Sequence, residues 1–171
     1  LSPGSSTVRP PIPGVDSPRV RTLRTIGDAQ RIRGDIAAGA RRAVVLGGGF
    51  IGLEAAEALR YQGLEVTVVE LADHVLPGLE PELAARVGRE MAGLGITVRA
   101  GVGATAIVHH DTADTVTLAD GTSLTADIVV MSVGVRPDTA VFEAAGVTCE
   151  RGAIVVDEHG RTSVPGIWAV G

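Results

Sequence analysis

Residues 44–70, VVLGGGFIGLEAAEALRYQGLEVTVVE, constrain the fold more than any other stretch of the chain. An uncharged apolar run at 43–46 leads into Gly47, Gly48 and Gly49. A helical pattern follows over 50–63, with Ile51, Ala55, Ala58, Leu59 and Gln62 near one face and Gly63 as its stop. A β-branched run at 65–70 then ends on an acid, Glu70. Strand, tight turn, helix and strand form the half-unit of a parallel sheet, in which buried strands read as continuous apolar runs and crossovers are right-handed.

The spacing of Gly47, Gly49 and Gly52 is weak on its own. With 23 glycines in 171 residues it arises by chance roughly 0.4 times in such a chain, so its setting must carry the argument. That setting, after a buried strand and at the mouth of a helix, is where a dinucleotide's pyrophosphate is held. Gly47 permits the tight turn, Gly49 lets backbone approach the phosphates, and Gly52 lets the helix pack closely on the sheet. Gly48 completes the loop. Glu70 lies 18 residues beyond Gly52, where a carboxylate accepts both adenine-ribose hydroxyls and repels a 2′-phosphate. The residues after it are Leu71, Ala72, Asp73 and His74, with no Arg for that phosphate, so NAD(H) is favoured over NADP.

The remaining chain extends the pattern. Residues 1–18 are crowded with Pro, Gly and Ser and read as loop or linker. Asp28 is placed to cap a short helix with Ala29, Ile32 and Ile36 on one face and Gly39 as its stop. A helix over 81–94 has Pro81 at its first position, and a third strand covers 96–101. The order β-α-β-α-β predicts an α/β, Rossmann-like parallel sheet with helices on both faces. Short strands then follow in hairpin grammar through 104–134, with Asp120–Gly121 as a turn, and are expected to form an antiparallel hairpin or meander insert. A short helix at 139–145 and two more short strands complete the chain.

Composition excludes several classes. Net charge is −5, every one of the 15 basic residues is Arg, and no basic block or aromatic platform suits a nucleic acid. The apolar-leaning run between Arg42 and Glu54 is too short to span a membrane. The lone Cys149 allows no internal disulfide, which fits a cytoplasmic setting. No metal is expected: His109 and His110 are adjacent on a strand and point to opposite faces, and no H-x-x-x-H or C-x-x-C spacing occurs. There is no G-x-S-x-G for hydrolase chemistry.

The chain resembles the nicotinamide-binding half of the flavin-dependent pyridine nucleotide-disulfide oxidoreductases. GGGFIGLEAAEAL…GLEVTVVE is similar to their second nucleotide motif, VGVRPDT (133–139) to the segment near the bound nicotinamide nucleotide, and GIWAVG (166–171) to the strand that leads to a flavin-gripping Asp. LSPGSS (1–6) resembles the segment where the chain leaves the flavin domain. Within the superfamily, LSPGS…RPPIPGVD and VVMSVGVRPDT look most like the coenzyme A-disulfide reductase and NADH oxidase/peroxidase branch. The ferredoxin/rubredoxin reductase branch shares GGGFIGLE.

The resemblance implies NADH bound in this domain, FAD in a flavin domain of the same parent chain, and a homodimeric parent. It divides the chain into a linker at 1–26, an NAD(H)-binding domain at 27–145 and a return segment at 146–171. Hydride would pass from nicotinamide to flavin and on to a disulfide, a peroxide or oxygen. The first dinucleotide motif, the redox cysteine and the C-terminal dimerisation domain of the family have no counterpart in these residues, so no catalytic residue is assigned and the fragment is expected to be inactive alone. The other class of reading is a stand-alone, non-catalytic nucleotide-binding module. Cys149 lies in a predicted turn with nothing nearby to activate it. Glu54 has two readings: a favourable charge in the first turn of its helix, or, by resemblance, a group facing nicotinamide and flavin. Phe50 and Ile51 cover the nicotinamide pocket or simply pack. Val133 and Gly134 line the carboxyl edge of the sheet, or Gly134 is a plain turn glycine.

Overall fold

The structure, a computed structural model, describes residues 1–170. Its elements are β1 (Ser5–Thr7), β2 (Val20–Thr22), α1 (Ile26–Ala37), β3 (Arg42–Leu46), α2 (Phe50–Tyr61), β4 (Glu65–Val69), α3 (Pro81–Gly93), β5 (Ile96–Arg99) and β6 (Ala104–His109), followed by β7 (Asp114–Leu118), β8 (Ser123–Ala126), β9 (Ile128–Met131), β10 (Val135–Pro137), α4 (Ala140–Ala144), β11 (Cys149–Glu150) and β12 (Ala153–Ile154). They fall into two units: Arg9–Val133, and Leu1–Val8 with Gly134–Gly171.

The larger unit is built on a five-stranded, all-parallel sheet in the order β2-β9-β3-β4-β5. Successive side chains of a strand point to opposite faces, and here both faces are buried. Ala43, Val45, Val66, Val68, Ile128 and Val130 meet Ile32 of α1, Leu53, Ala56 and Leu59 of α2, and Met91 of α3. Val44, Leu46, Val69, Val129 and Met131 meet Ile107, Val116, Leu118 and Ala126 of the antiparallel sheet β6-β7-β8. The α/β class and the meander insert are as expected. The second face, however, is covered by the meander, and all three long helices share the first.

Three local expectations are corrected. The run 128–131 was grouped with the hairpins, yet β9 pairs in parallel with β2 and β3, because a run buried on both sides needs a central place in the sheet. Residues 1–18 read as loop, yet Ser5–Thr7 forms a strand, and β2 within the expected linker carries buried Val20 into the main sheet. In α1 the N-cap is Thr25 and Asp28 is its capping-box partner: the Asp28 N–H donates to Thr25 Oγ1 (3.2 Å) and the Thr25 N–H to Asp28 Oδ2 (2.8 Å). Gly39 (φ +107) and Pro81 end and begin their helices as the sequence predicts.

The 9–19 segment straps the meander. Ile12 and Val15 pack into its core, the Ile107 N–H donates to Pro13 O (2.8 Å), and Gly14 lies so close to the Ile107 carbonyl that a Cβ would sit 1.7 Å from it. Ser17 Oγ donates to the fully buried Asp114 carboxylate (2.5 Å), which also pairs with His109 Nδ1 (2.7 Å).

In the smaller unit β1 pairs with β10, and β11 with β12, all antiparallel. Cys149, expected in a turn, lies in the β11–β12 pair, and the turn is made by Arg151 and Gly152 at positive φ. No helix among the described residues is long and apolar enough to cross a membrane.

Asp127 ties the starts of β3 and β9 together. It accepts from the backbone N–H groups of Arg41 and Arg42 (both 2.9 Å) and from the Arg42 guanidinium (2.7 Å). The Arg42 hydrogen bond, helped by the two N–H groups and outweighing burial, pushes its carboxyl down to about 2. Asp127→Ala is expected to lower stability by about 2 kcal/mol near neutral pH, read by urea unfolding. A carboxyl with a depressed folded value stabilises fully above its unfolded value of 3.8 and loses that contribution as pH falls through its folded one. The difference between wild type and variant should therefore shrink from about pH 4 to about pH 2.

Candidate functional site

The carboxyl ends of β3, β4 and β9 converge on the glycine turn. Gly47 follows β3 with φ +105, where a side chain is strained, and its N–H donates to Val69 O (2.8 Å). A Cβ on Gly47 would stand 2.4 Å from Ser132 O, and one on Gly52 would stand 2.0 Å from Gly47 O. Gly49 differs. It is the N-cap of α2, in an extended conformation, and has open space where a Cβ would be. The three glycines thus have separate reasons: a turn, an open approach, and a contact between helix and turn.

Helix α2 starts without a side-chain cap and without an acid in its first turn. Its first N–H groups and its positive end are therefore free to meet an anion. The same fact corrects one reading of Glu54. It lies in the second turn, where the helix-end field has faded, so a favourable N-terminal charge does not explain it. Its side chain is exposed. Phe50 and Ile51 are 73% and 50% exposed, so ordinary packing does not account for them either. The buried face of α2 is Gly52, Leu53, Ala55, Ala56 and Leu59, rotated from the face the sequence predicts, because Gly52 is the residue that touches the turn.

Glu70 follows β4 and is fixed by the loop itself. Its Oε2 accepts from the Gly48 N–H (2.6 Å) and its Oε1 from the Ala72 N–H (2.8 Å). Each carboxylate oxygen keeps acceptor capacity for a further donor. Gly48 is tightly enclosed: a Cβ there would lie 3.1 Å from Glu70 Cβ and 3.2 Å from Val75 Cγ1, so these side chains would have to give by a few tenths of an ångström.

Two contributors were not legible. Ser132, just past β9, donates from Oγ to Leu46 O (3.1 Å) and Gly47 O (3.3 Å) and so joins the ends of two strands. Its signal was its place at the end of an apolar run, level with Gly47. Leu76 closes the loop from the other side, with its N–H on Gly48 O (2.8 Å) and a strained φ of +50. Val133 is exposed, and Gly134, at φ +111, opens the smaller unit. His109 is engaged with Asp114, and the described residues hold no group of three or more His, Cys, Asp or Glu that could bind a metal.

A dinucleotide fits this cradle: open backbone at Gly49, an uncapped helix end and a carboxylate fixed at the neighbouring strand end. A parallel sheet with such a turn defines a Rossmann-like α/β domain. The chain belongs to the pyridine nucleotide-disulphide oxidoreductase family, whose profile matches residues 1–171. Members of the family are flavin-dependent NAD(P)H oxidoreductases. The chain is 39% identical over 173 residues to the nitrite reductase (NAD(P)H) large subunit of Klebsiella oxytoca, covering all of this chain and 18% of that protein. It is 38% identical over 173 residues to the NADH oxidase of Methanocaldococcus jannaschii, covering all of this chain and 38% of the relative. The solved NAD-dependent persulfide reductase from A. fulgidus matches with a TM-score of 0.94 and 38% identity over 99% of this chain and 32% of that one. The chain thus spans well under half the length of each of these relatives.

The glycines separate stability from binding. Gly52→Ala forces a Cβ against the Gly47 carbonyl and is expected to cost about 3 kcal/mol or more. Gly49→Ala meets nothing and is expected to leave stability within about 0.5 kcal/mol of wild type. Thermal and urea unfolding of the two variants check this contrast.

Proposed function

We propose that the Arg9–Val133 unit binds NADH and positions it for an FAD-dependent oxidoreductase. The observation that carries this reading is the Glu70 carboxylate, held at the end of β4 by the same glycine loop that faces the helix end. An anion at Glu70 and free N–H groups at α2 suit the two ends of an adenosine diphosphate: hydroxyls on the acid, phosphates on the helix. Exposed Phe50 and Ile51, with Glu54 one turn further on, flank the way out toward the nicotinamide end, and Val133 supplies the far edge. When bound, the dinucleotide supplies a hydride to a flavin carried elsewhere in the protein, from which electrons reach a disulfide, a peroxide or oxygen. This chain's residues bind and orient, and none of them is assigned a covalent role.

The names of the relatives support this division. A nitrite reductase, an NADH oxidase and a persulfide reductase carry different reaction names, while the name of each includes a nicotinamide nucleotide. The segment they share with this chain is suited to the nucleotide side of the reaction.

Calorimetric titration with NADH and NADPH in parallel tests the reading. NADH should bind at least about tenfold more tightly, because the 2′-phosphate meets the Glu70 carboxylate. Glu70→Gln should narrow that preference by about tenfold. Tighter binding of NADPH by the wild-type protein, or binding of neither, overturns the proposal.

A further inference from the structure

One peptide group of the glycine turn, between Gly47 and Gly48, is gripped from both sides by side chains. Its N–H donates to Glu70 Oε2 (2.6 Å), and its carbonyl accepts from Ser132 Oγ (3.3 Å). A trans peptide is planar, with C=O and N–H pointing in opposite directions, so neither end turns without the other. A hydrogen bond on the carbonyl also polarises the amide and strengthens its N–H as a donor. Ser132, just past β9, and Glu70, just past β4, therefore bear on one another through this single group.

The peptides on either side are fixed by backbone groups. In the one before, the Gly47 N–H donates to Val69 O (2.8 Å) and Leu46 O accepts from the Ser132 N–H (2.8 Å). In the one after, Gly48 O accepts from the Leu76 N–H (2.8 Å). Leu46 O is thus served by a backbone donor even without the Ser132 hydroxyl, which lies 3.1 Å from it. Gly47 O is not: among the described residues, that hydroxyl is its one hydrogen-bond donor. Oγ also fills the notch left by the missing side chain of Gly52, where a Cβ would stand 2.7 Å from it. Removing the hydroxyl leaves the rest of the turn in place and loosens the peptide that holds Glu70.

We propose that Ser132 is a positioning residue for nucleotide selection: its hydroxyl, acting through the Gly47–Gly48 peptide, holds the Glu70 carboxylate where it meets the adenine ribose and excludes a 2′-phosphate. The proposal rests on the NADH reading above. A Glu70 released from Gly48 keeps only its bond to the Ala72 N–H (2.8 Å). It then accepts the ribose hydroxyls less well and stands less squarely against the phosphate.

The test is Ser132→Ala on the full chain, titrated by calorimetry with NADH and NADPH. The variant should weaken NADH, leave NADPH nearly unchanged, and so narrow the preference by about fivefold, the scale of one neutral hydrogen bond. In a Glu70→Gln background the same substitution should leave the ratio unchanged, because the charge it positions is gone. Ser132→Thr retains the hydroxyl and should keep the wild-type ratio. Without nucleotide, Ser132→Ala should speed amide hydrogen exchange at Gly48 and spare Gly47, whose N–H is bonded to Val69 O. An unchanged ratio in Ser132→Ala, equal weakening of both nucleotides, equal narrowing in the Glu70→Gln background, or unchanged exchange at Gly48 overturns the proposal and leaves the NADH reading intact. Failure of wild type to bind NADH overturns both.

Discussion

Helix α2 begins with its backbone pressed against the carbonyl of Gly47, and the rest of the site depends on that contact. The 2.0 Å that a Cβ on Gly52 would have from that oxygen leaves room for hydrogen alone. Because the helix comes so close, its free N–H groups reach the sheet's edge and do not stand off from it. Because the turn is this tight, Gly48 presents its N–H to Glu70, and the neighbouring strand end acquires a carboxylate of fixed position. Ser132 and Leu76 then hold the turn from two further directions. One steric constraint on one glycine thus places the uncapped helix end and the Glu70 carboxylate together.

Much of this was legible in the sequence, for a physical reason. A glycine forced by a backbone contact cannot be replaced by another residue, so the turn leaves a trace at fixed spacing, and an apolar strand before it leaves another. The buried face of α2 was misread by about one residue, because average apolar periodicity gives no weight to a glycine. Here Gly52 is the point of closest approach. Strand β9 was misread because its run, Ile128–Met131, directly follows β8, and adjacency in sequence suggested another hairpin. What decides its place is burial on both faces, which only the centre of a parallel sheet provides. Ser132 was missed because a serine after a strand has many ordinary uses, and its two acceptors come from a strand some 86 residues earlier in the chain.

The cover of the second face has the same origin as the meander's sequence. Alternation such as that of Asp114–Leu118 leaves one side of a strand polar and one apolar, and the apolar side needs a partner. The alternate residues of the parallel strands that face away from the helices are that partner. Val44, Leu46, Val129 and Met131 would otherwise face water. The meander is therefore the second covering layer of the sheet.

Strand β2 has a consequence for how the chain holds together at its edge. It contributes only Val20–Thr22, yet it is the outermost strand and lies directly against β9. Every side chain of β9 is buried, and Val20, Arg21 and Thr22 lie in register with its Val129, Val130 and Met131. A polypeptide trimmed to begin at Leu23 would keep the glycine turn, the acid and all the long helices with the Thr25 cap. It would also present an open row of backbone donors and acceptors on one of the most apolar strands of the protein. Such an edge recruits whatever extended segment is nearby, and the first available is a second copy of itself. The short strand ahead of α1 therefore moves the edge of the sheet from a fully buried apolar strand to a half-buried one of only three residues.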